Sequence, residues 1–323
     1  RSAVTGETIA EAGSGGLKFD DMVAYAKEKG GPALAQMTFH DRARMLKALA
    51  LHLREARKEL YALSHQTGAT LGDSKVDIDG GIGTMLVFAA KGRREMPDEH
   101  IYIDGDIEML SRDGSFLGQH ALTSLKGVAV HINAFNFPVW GMLEKLAPTL
   151  LAGVPAIVKP ATATSYVTEA CFRIMIESGI LPEGAVQLVV GSTGNLLDLM
   201  GCQDIVSFTG SADTALMLRS RPNLLENAVR FVDEQDSLNA SVLGEDATHG
   251  TAEFDLFIKE AVHEITTKAG QKCTATRRLL IPRGQIDAVA ETLKEKLGAI
   301  NIGHPAEKST EMGALASQDQ RDD

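Results

Sequence analysis

The sequence predicts an α/β protein built on a parallel sheet with helices on both faces. From Gly127 onward, short apolar runs of strand length alternate with helical stretches, the pattern of parallel strands that are buried on both faces. Ahead of this region, apolar residues recur at steps of three and four between Leu46 and Leu63. That spacing places them on one face of a long helix.

The long helix has recognisable end signals. Thr38 is followed three residues later by Asp41, which makes an imperfect capping box. Gly68 stands where the helix is expected to end, and glycine is the preferred residue there. We expect this helix to have a structural role, and its residues give no indication of catalytic chemistry.

The alternating region contains four apolar runs, each followed by a predicted helix. The runs are 128–132, 156–158, 186–190 and 205–208, and the helices follow Pro138 and cover 167–176, 196–200 and 212–218. A further apolar segment covers 229–232, a helix ends near Lys268, and a strand covers 279–281. Ligands of such sheets bind beyond the carboxyl ends of the strands, so the loops after the runs are the candidate sites.

Composition excludes several classes of protein. The 323 residues carry a net charge of −11, which argues against an electrostatic nucleic-acid or membrane surface. The longest apolar stretch, 146–158, is too short to span a bilayer, and residues 1–30 hold no secretory segment. Three cysteines cannot form a disulfide framework, so we expect a reduced, cytoplasmic protein.

The strand-end loops hold polar residues with two possible interpretations each. Asn133 and Asn136 follow the first run and act as turn formers or as amide donors to an oxyanion. Lys159 follows the second run and is either an edge residue or the partner of a ligand hydroxyl or phosphate. Thr209-Gly210-Ser211 follow the fourth run and form either a phosphate seat or an ordinary helix cap. Neither standard glycine-rich phosphate motif is present.

The three cysteines differ in their surroundings. Cys171 lies among apolar helix residues and is predicted to be a core residue, whereas Cys202 lies in a polar loop. Cys273 follows Lys272 in an open glycine-containing loop, where the lysine would favour a thiolate nucleophile. No cysteine or histidine spacing predicts a metal site. Glu234 follows the 229–232 segment and is either a solvated loop residue or a desolvated general base.

Taken in order, these segments resemble the aldehyde dehydrogenase superfamily. The series consists of Asn136-Phe137-Pro138, Lys159-Pro160-Ala161, Phe208-Thr209-Gly210-Ser211, Glu234 and Gly270-Gln271-Lys272-Cys273. Segments 76–84, 131–164, 237–246 and 266–278 are similar to the members that act on CoA-linked semialdehydes in the degradation of phenylacetate and benzoate. The resemblance implies a Rossmann-type parallel sheet for the cofactor and an α/β catalytic domain.

The resemblance implies a role for each catalytic residue. Cys273 attacks the aldehyde to form a thiohemiacetal, and hydride transfer to a nicotinamide leaves a thioester. The Asn136 amide and the Cys273 backbone N–H form the oxyanion hole. Glu234 activates the water that hydrolyses the thioester.

The resemblance also implies a cofactor site. Its residues are Asn133, Ala134, Phe135, Lys159, Pro160, Ala161, Thr162, Gly191, Thr209, Gly210, Ser211, Thr214 and Gln235. Many NAD-using members have a glutamate where this chain has Thr162. A carboxylate there would repel a 2′-phosphate, so the threonine predicts NADP, with NAD as the alternative.

The domain organisation follows from the same resemblance. We expect a dinucleotide-binding domain over 1–235, with an oligomerisation hairpin near 107–126, and a catalytic domain over 236–323. The chain ends 50 residues after Cys273, so we expect the catalytic domain to be incomplete. The resemblance further implies that the full-length form is a homo-oligomer. The expected substrate is a CoA-linked semialdehyde, although no basic patch for CoA stands out in the sequence.

Two other functions fit the same residues. A cofactor-independent cysteine acyl-transferase or thioesterase would keep the Cys273 nucleophile without hydride transfer. A non-catalytic dehydrogenase fragment would keep cofactor binding alone. The first would not need a nicotinamide, and the second would bind it without forming an acyl-enzyme.

Overall fold

A five-stranded sheet is the centre of the larger part of the protein. The computed structural model describes residues 1–322. The strands are β1 (Tyr102–Met109), β2 (Leu117–Leu122), β3 (Ala129–Ile132), β4 (Ala156–Lys159), β5 (Val186–Leu188), β6 (Ile205–Gly210), β7 (Arg230–Gln235), β8 (Asn239–Val242) and β9 (Thr276–Leu280). The helices are α1 (Phe19–Tyr25), α2 (Gly31–Ala35), α3 (Phe39–Ser64), α4 (Leu71–Arg94), α5 (Trp140–Leu151), α6 (Ser165–Glu177), α7 (Ala212–Arg219), α8 (Pro222–Glu226), α9 (Ala252–Thr266), α10 (Ile286–Gly298) and α11 (Asp319–Asp322).

These elements divide into two units. The larger unit is Ala12–Arg57 with Ile78–Glu234, and the smaller unit is Arg1–Glu11, Lys58–Asp77 and the chain from Gln235 onward. The smaller unit thus includes 1–11 and 58–77, which the sequence prediction placed with the cofactor domain. It remains a prediction that one unit binds a dinucleotide and that the other carries the nucleophile.

The sheet of the larger unit has the strand order β5-β4-β3-β6-β7. β3 pairs in parallel with both β4 and β6, and β4 pairs in parallel with β5. The order along the chain therefore reverses between β3 and β6. In open α/β sheets, ligands bind beyond the carboxyl ends of the strands at such a switch point.

The packing of this sheet follows from its apolar strands. All four residues of β3 are buried, as predicted for a strand covered on both faces. Val130, Ile157 and Val206 from three adjacent strands belong to one buried cluster. Burying side chains of this size contributes about 1.5–3 kcal/mol each, so the central strands hold their carboxyl ends in fixed positions.

The capped long helix is confirmed. The Thr38 backbone N–H donates to Asp41 Oδ2, and the Asp41 N–H donates to Thr38 Oγ1, both at 3.1 Å. α3 runs to Ser64, and after one further turn Gly68 has the left-handed φ of 86°. The Asp41 carboxylate therefore completes the capping box despite being one methylene shorter than glutamate.

A buried arginine fixes the end of α5. Arg42 is fully buried, and its Nε donates to the Leu151 carbonyl at 2.8 Å. Its Nη1 donates to the Leu34 and Met37 carbonyls at 3.1 and 2.9 Å. A guanidinium stabilises the unpaired carbonyls at the ends of helices, so Arg42 replaces water at the ends of α2 and α5.

One predicted helix is wrong. The segment 196–200 forms only a 3₁₀ turn over Leu196–Leu199. Gly194 lies before it with a φ of 48°, and Met200 after it is extended. A single turn between these breaks cannot gain the hydrogen bonds that an α-helix needs to offset its nucleation.

The smaller unit contains a second parallel pair. β8 pairs with β9, and α9 lies between them in the chain. Its core includes Leu243, Phe254, Ile258 and Val289.

The hairpin β1–β2 belongs to the larger unit and is antiparallel, with Tyr102 opposite Leu122. None of the helices within residues 1–322 is long and apolar enough to cross a membrane.

Candidate active site

The candidate residues are divided between the two units. The larger unit holds Asn136, Glu234 and the cofactor-site candidates except Gln235, whereas the smaller unit holds Cys273 and Gln235. The roles carried over from the family resemblance remain predictions for every one of these residues.

The loop after β3 is fixed by two hydroxyls. Thr164 Oγ1 donates to the Phe135 carbonyl at 2.8 Å, and Thr168 Oγ1 donates to the Pro138 carbonyl at 2.9 Å. Phe137 also contacts the Trp140 ring edge to face. Asn136 lies half-buried between these anchors. The fixed backbone on both sides suits an amide that must be preorganised toward one atom.

Asn133 is buried with no hydrogen bond to its amide. The residue is 4% exposed, and neither Oδ1 nor Nδ2 of its side chain has a hydrogen-bond partner among residues 1–322. Its backbone N–H donates to the Lys159 carbonyl at 3.0 Å. Because an unsatisfied buried amide costs about 1–3 kcal/mol, a polar ligand group at this point would recover that energy. Ala134 and Phe135 are half-buried beside it.

Lys159 ends β4 as a half-buried cation. Burial alone lowers the pKa of its ammonium group, and no acidic side chain within residues 1–322 forms an ion pair with it. Pro160 is buried and Ala161 half-buried, and the exposed Thr162 begins the 3₁₀ turn that leads into α6. A cation at a strand end without an acidic partner is suited to an anionic ligand.

The glycines of the predicted cofactor site have packing reasons of their own. Gly191 has a φ of 113°, and a Cβ there would lie 2.9 Å from the Ser14 nitrogen. A Cβ on Gly210 would lie 2.5 Å from the Phe208 ring. The fold therefore favours glycine at position 191 whether or not a dinucleotide binds, whereas a side chain at position 210 would require the Phe208 ring to shift.

The fourth strand end carries an ordinary helix cap. Ser211 Oγ accepts the Thr214 N–H at the start of α7, at 3.3 Å, as the structural alternative predicted. Thr209 receives a 2.7 Å hydrogen bond from Lys145 Nζ, which joins α5 to the end of β6. The two sides of the switch point are thus connected by a charged side chain.

Sequence reasoning missed Glu144 and Lys145. Burial lowers the pKa of Lys145, while the Glu144 and Glu234 carboxylates oppose that shift. Burial raises the pKa of Glu144, and Glu234 raises it further. Lys145 Nζ lies 3.6 Å from Glu144 Oε1. The available signal was an adjacent acid and base inside the otherwise apolar helix that follows the Asn136 loop.

Glu234 is exposed at the end of β7. The sequence left open whether the Glu234 carboxylate is solvated or desolvated, and the structure shows a solvated carboxylate. Its electrostatic effect on Lys145 and Glu144 places it among charged neighbours instead. Gln235, the next residue along β7, is half-buried.

The loop of Cys273 is held by its backbone. Cys273 is exposed, and its carbonyl accepts hydrogen bonds from Ser237 Oγ at 2.7 Å and Asn239 Nδ2 at 2.6 Å. Lys272 Nζ forms a 2.9 Å ion pair with Glu264. The lysine charge is thus paired with a carboxylate that the sequence analysis did not identify, and its effect on the Cys273 thiol remains a prediction. Cys171 is fully buried, which confirms it as a core residue.

Buried His131 predicts a pH dependence of stability. Burial, aided by the Lys145 charge, lowers its pKa from 6.5 to about 3. Below pH 6.5 the unfolded chain binds a proton that the folded state excludes, so stability falls as pH drops from 6.5 toward 3. The loss is about 1.4 kcal/mol per pH unit. Urea denaturation between pH 6.5 and 4.5 should show a shallower pH slope in His131→Leu.

His120 provides the matched control for this measurement. It is exposed on β2, so His120→Gln should leave the slope unchanged. Equal slopes in wild type and His131→Leu would mean that His131 takes up its proton in the folded state.

Among residues 1–322, no three His, Cys, Asp or Glu side chains gather in a group that could hold a metal ion. The polar groups described above therefore do not form a metal-binding cluster within this part of the chain.

Comparison with known proteins identifies the family. Residues 1–323 match the model of the aldehyde dehydrogenase family. Over 319 residues the chain is 44% identical to the 3,4-dehydroadipyl-CoA semialdehyde dehydrogenase of Aromatoleum evansii, which covers 98% of this chain and 62% of that protein. It is 27% identical over 302 residues to the N-succinylglutamate 5-semialdehyde dehydrogenase of Chromobacterium violaceum, covering 92% and 58%. The chain spans about three-fifths of the length of these curated relatives.

The fold agrees with this assignment. Betaine aldehyde dehydrogenase from Staphylococcus aureus, in a complex with NAD⁺, superimposes with a TM-score of 0.81 at 24% identity. The match covers 94% of this chain and 58% of that protein. The α/β architecture and the family resemblance predicted from the sequence are both confirmed. On the family match and the 44% identity, the chain belongs to the aldehyde dehydrogenase family.

Proposed function

We propose that the protein is an NADP-dependent dehydrogenase that oxidises a CoA-linked aliphatic semialdehyde to its carboxylic acid. The observation that carries the proposal is the exposed Cys273, whose carbonyl is fixed by Ser237 and Asn239. The name of the 44% identical relative specifies a CoA-linked semialdehyde, and this supports the substrate class. A thiol held at a defined position in an accessible loop suits attack on a carbonyl.

In the proposed reaction, the Cys273 sulfur bonds to the carbonyl carbon and forms a thiohemiacetal. The oxyanion accepts hydrogen bonds from the Asn136 amide and from the Cys273 backbone N–H. Fixed donors stabilise such a charge because they need no reorganisation during the reaction. The anchors from Thr164 and Thr168 hold the Asn136 loop in place.

The strand-end residues fit a dinucleotide phosphate. Lys159 has a half-buried ammonium group without an acidic partner in residues 1–322, and the Asn133 amide lacks hydrogen bonds there. Both gain a partner if a polar, anionic ligand binds beyond β3 and β4. When bound, the nicotinamide supplies the hydride acceptor that converts the thiohemiacetal to a thioester.

Glu234 then takes a proton from the water that attacks the thioester carbon, and the thiolate of Cys273 leaves. An exposed carboxylate has direct access to water for this step. Lys145 and Glu144 interact with Glu234 electrostatically. We therefore assign them the role of setting the charge around the base.

The cofactor assignment predicts a specific preference. Wild-type kcat/KM should be at least tenfold higher with NADP than with NAD, because a hydrogen bond to a charged group contributes about 1.5–3 kcal/mol. Thr162→Glu should reverse the preference, since the new carboxylate repels a 2′-phosphate. Steady-state kinetics with both cofactors measure this directly.

The control for this test is Thr123→Glu, which introduces the same charge at an exposed position before β3. The neighbouring Ser124 bonds the Ala152 carbonyl ahead of β4, so this position lies at the amino ends of the strands. The substitution should leave the cofactor ratio within about twofold of wild type, as expected for a screened surface charge away from the proposed site. A wild-type enzyme that prefers NAD would overturn the NADP assignment and leave the dehydrogenase assignment intact.

We also propose that the hairpin β1–β2 forms a subunit contact. Its large apolar side chains Ile103, Ile107, Met109, Leu117 and Leu122 are 50–69% exposed. Several large apolar side chains exposed on one short hairpin are typical of protein–protein interfaces. A monomeric mass from light scattering at micromolar concentration would contradict the contact.

A further inference from the structure

A left-handed turn leads into the Cys273 loop. Lys268, Ala269 and Gly270 have φ values of 52°, 52° and 73°. Lysine and alanine rarely adopt this conformation, because the Cβ atom crowds the backbone. Two such residues in succession persist only where surrounding contacts determine the backbone, so the contacts of this turn need an explanation.

Helix α4 supplies those contacts within the smaller unit. Asp73 Oδ1 accepts the Lys268 backbone N–H at 2.9 Å, and Asp73 is 5% exposed. Lys268 is itself only 7% exposed, and Asp77 is fully buried. Burial lowers the pKa of Lys268, while the Asp77 and Asp73 carboxylates oppose the shift. The lysine thus enters the interior with its charge compensated by two carboxylates one helical turn apart.

The turn is connected to the nucleophile through the backbone. Gln271 donates to the Lys268 carbonyl from both its N–H and its Nε2, at 3.1 and 2.8 Å. The Gly270 carbonyl accepts the Lys272 N–H and Arg277 Nη2, each at 2.9 Å. Because the Cys273 carbonyl is held on the other side by Ser237 and Asn239, the loop is anchored at both ends.

We propose that Asp73 and Lys268 are positioning residues that hold the left-handed turn and thereby orient the Cys273 thiol and its backbone N–H. The inference rests on the proposed role of Cys273 as nucleophile. Asp73 acts through the Lys268 backbone, and Lys268 keeps that carboxylate in place by neutralising it. Neither residue contacts the substrate in this scheme.

The test measures acylation of Cys273 by p-nitrophenyl acetate, a reaction of the thiol that needs no nicotinamide. Asp73→Asn and Lys268→Met should each lower the acylation rate at least tenfold, and the double variant should be no slower than the slower single variant. Mass spectrometry of the peptide that contains Cys273 separates its acylation from that of Cys202.

Two buried variants on or next to α4 serve as controls. Ser74→Ala removes a 3.0 Å hydrogen bond to Ser64 Oγ without touching the turn. Thr70→Val removes the capping hydroxyl that bonds Asp73 Oδ2 and leaves Asp73 Oδ1 with Lys268. Both should acylate within twofold of wild type even where their Tm falls as much as that of Asp73→Asn. Equal acylation in Asp73→Asn and wild type would overturn the inference.

A second measurement needs no variant and covers the case in which Asp73→Asn fails to fold. In the wild type, hydrogen exchange at the Lys268 amide should be at least 100-fold slower than at the exposed Thr274. Fast exchange at Lys268 would overturn the inference. Failure of wild-type Cys273 to acylate at all would instead contradict the proposed function, so the two failures are distinguishable.

Discussion

Cys273→Ala is expected to abolish NADPH formation from an aldehyde, with a loss of about 10⁴-fold or more in kcat. The alanine methyl group cannot form the thiohemiacetal, so no covalent route remains. Cys273 is exposed, and its loop is anchored through backbone and neighbouring side chains. The substitution should therefore leave the fold intact. Stopped-flow absorbance should show a burst in wild type and none in the variant.

Cys202→Ala is the matched control, because Cys202 is also exposed and lies outside the anchored loop. It should give a wild-type burst. Product formed by wild type without any nicotinamide, and lost in Cys273→Ala, would indicate an acyl-transferase or thioesterase. Cofactor binding with no burst would indicate a non-catalytic protein. Turnover that survives in Cys273→Ala would remove this cysteine from the mechanism.

Glu234→Gln is expected to separate acylation from deacylation. One stoichiometric burst of NADPH should survive, because thiohemiacetal formation and hydride transfer need no base at this position once the thiol is ionised. Steady turnover should fall about 10²–10⁴-fold, the usual contribution of a general base. The same stopped-flow trace reports both phases.

The exposed Asp236 lies two residues further along the chain, so Asp236→Asn is the control for the loss of a nearby charge. It should retain both the burst and the steady rate. A variant Glu234→Gln with normal steady turnover would exclude Glu234 as the deacylation base. Loss of the burst as well would mean that Glu234 also deprotonates the thiol.

Local signals predicted the secondary structure well. The buried runs that became β3, β4 and β6 were readable because parallel strands covered on both faces are apolar at successive positions. The α3 cap was readable because its partners, Thr38 and Asp41, are three residues apart. The helix predicted over 196–200 was wrong. Its apolar residues suit a helix, but the non-helical backbone on either side allows only one turn.

The electrostatic partners were less accessible to sequence reasoning. Lys272 was expected to stabilise a thiolate, but in the fold it pairs with Glu264, eight positions earlier. Lys145 meets Thr209 across 64 positions, and Asp73 meets the Lys268 N–H across 195. Pairings over such separations are set by how elements pack, and no local period encodes them.

The sequence alone determined the family, the apolar strands and the candidate nucleophile, because these depend on residue type, order and local spacing. Only the tertiary structure decided which charges are compensated: Lys272 by Glu264, Lys268 by Asp77 and Asp73, and Lys159 by no carboxylate within residues 1–322. It also decided that the side-chain amide of Asn133 is buried without a hydrogen-bond partner among those residues and that Glu234 is exposed. The physical reason is that desolvation and Coulomb energy depend on distance and burial in three dimensions, which sequence order does not specify.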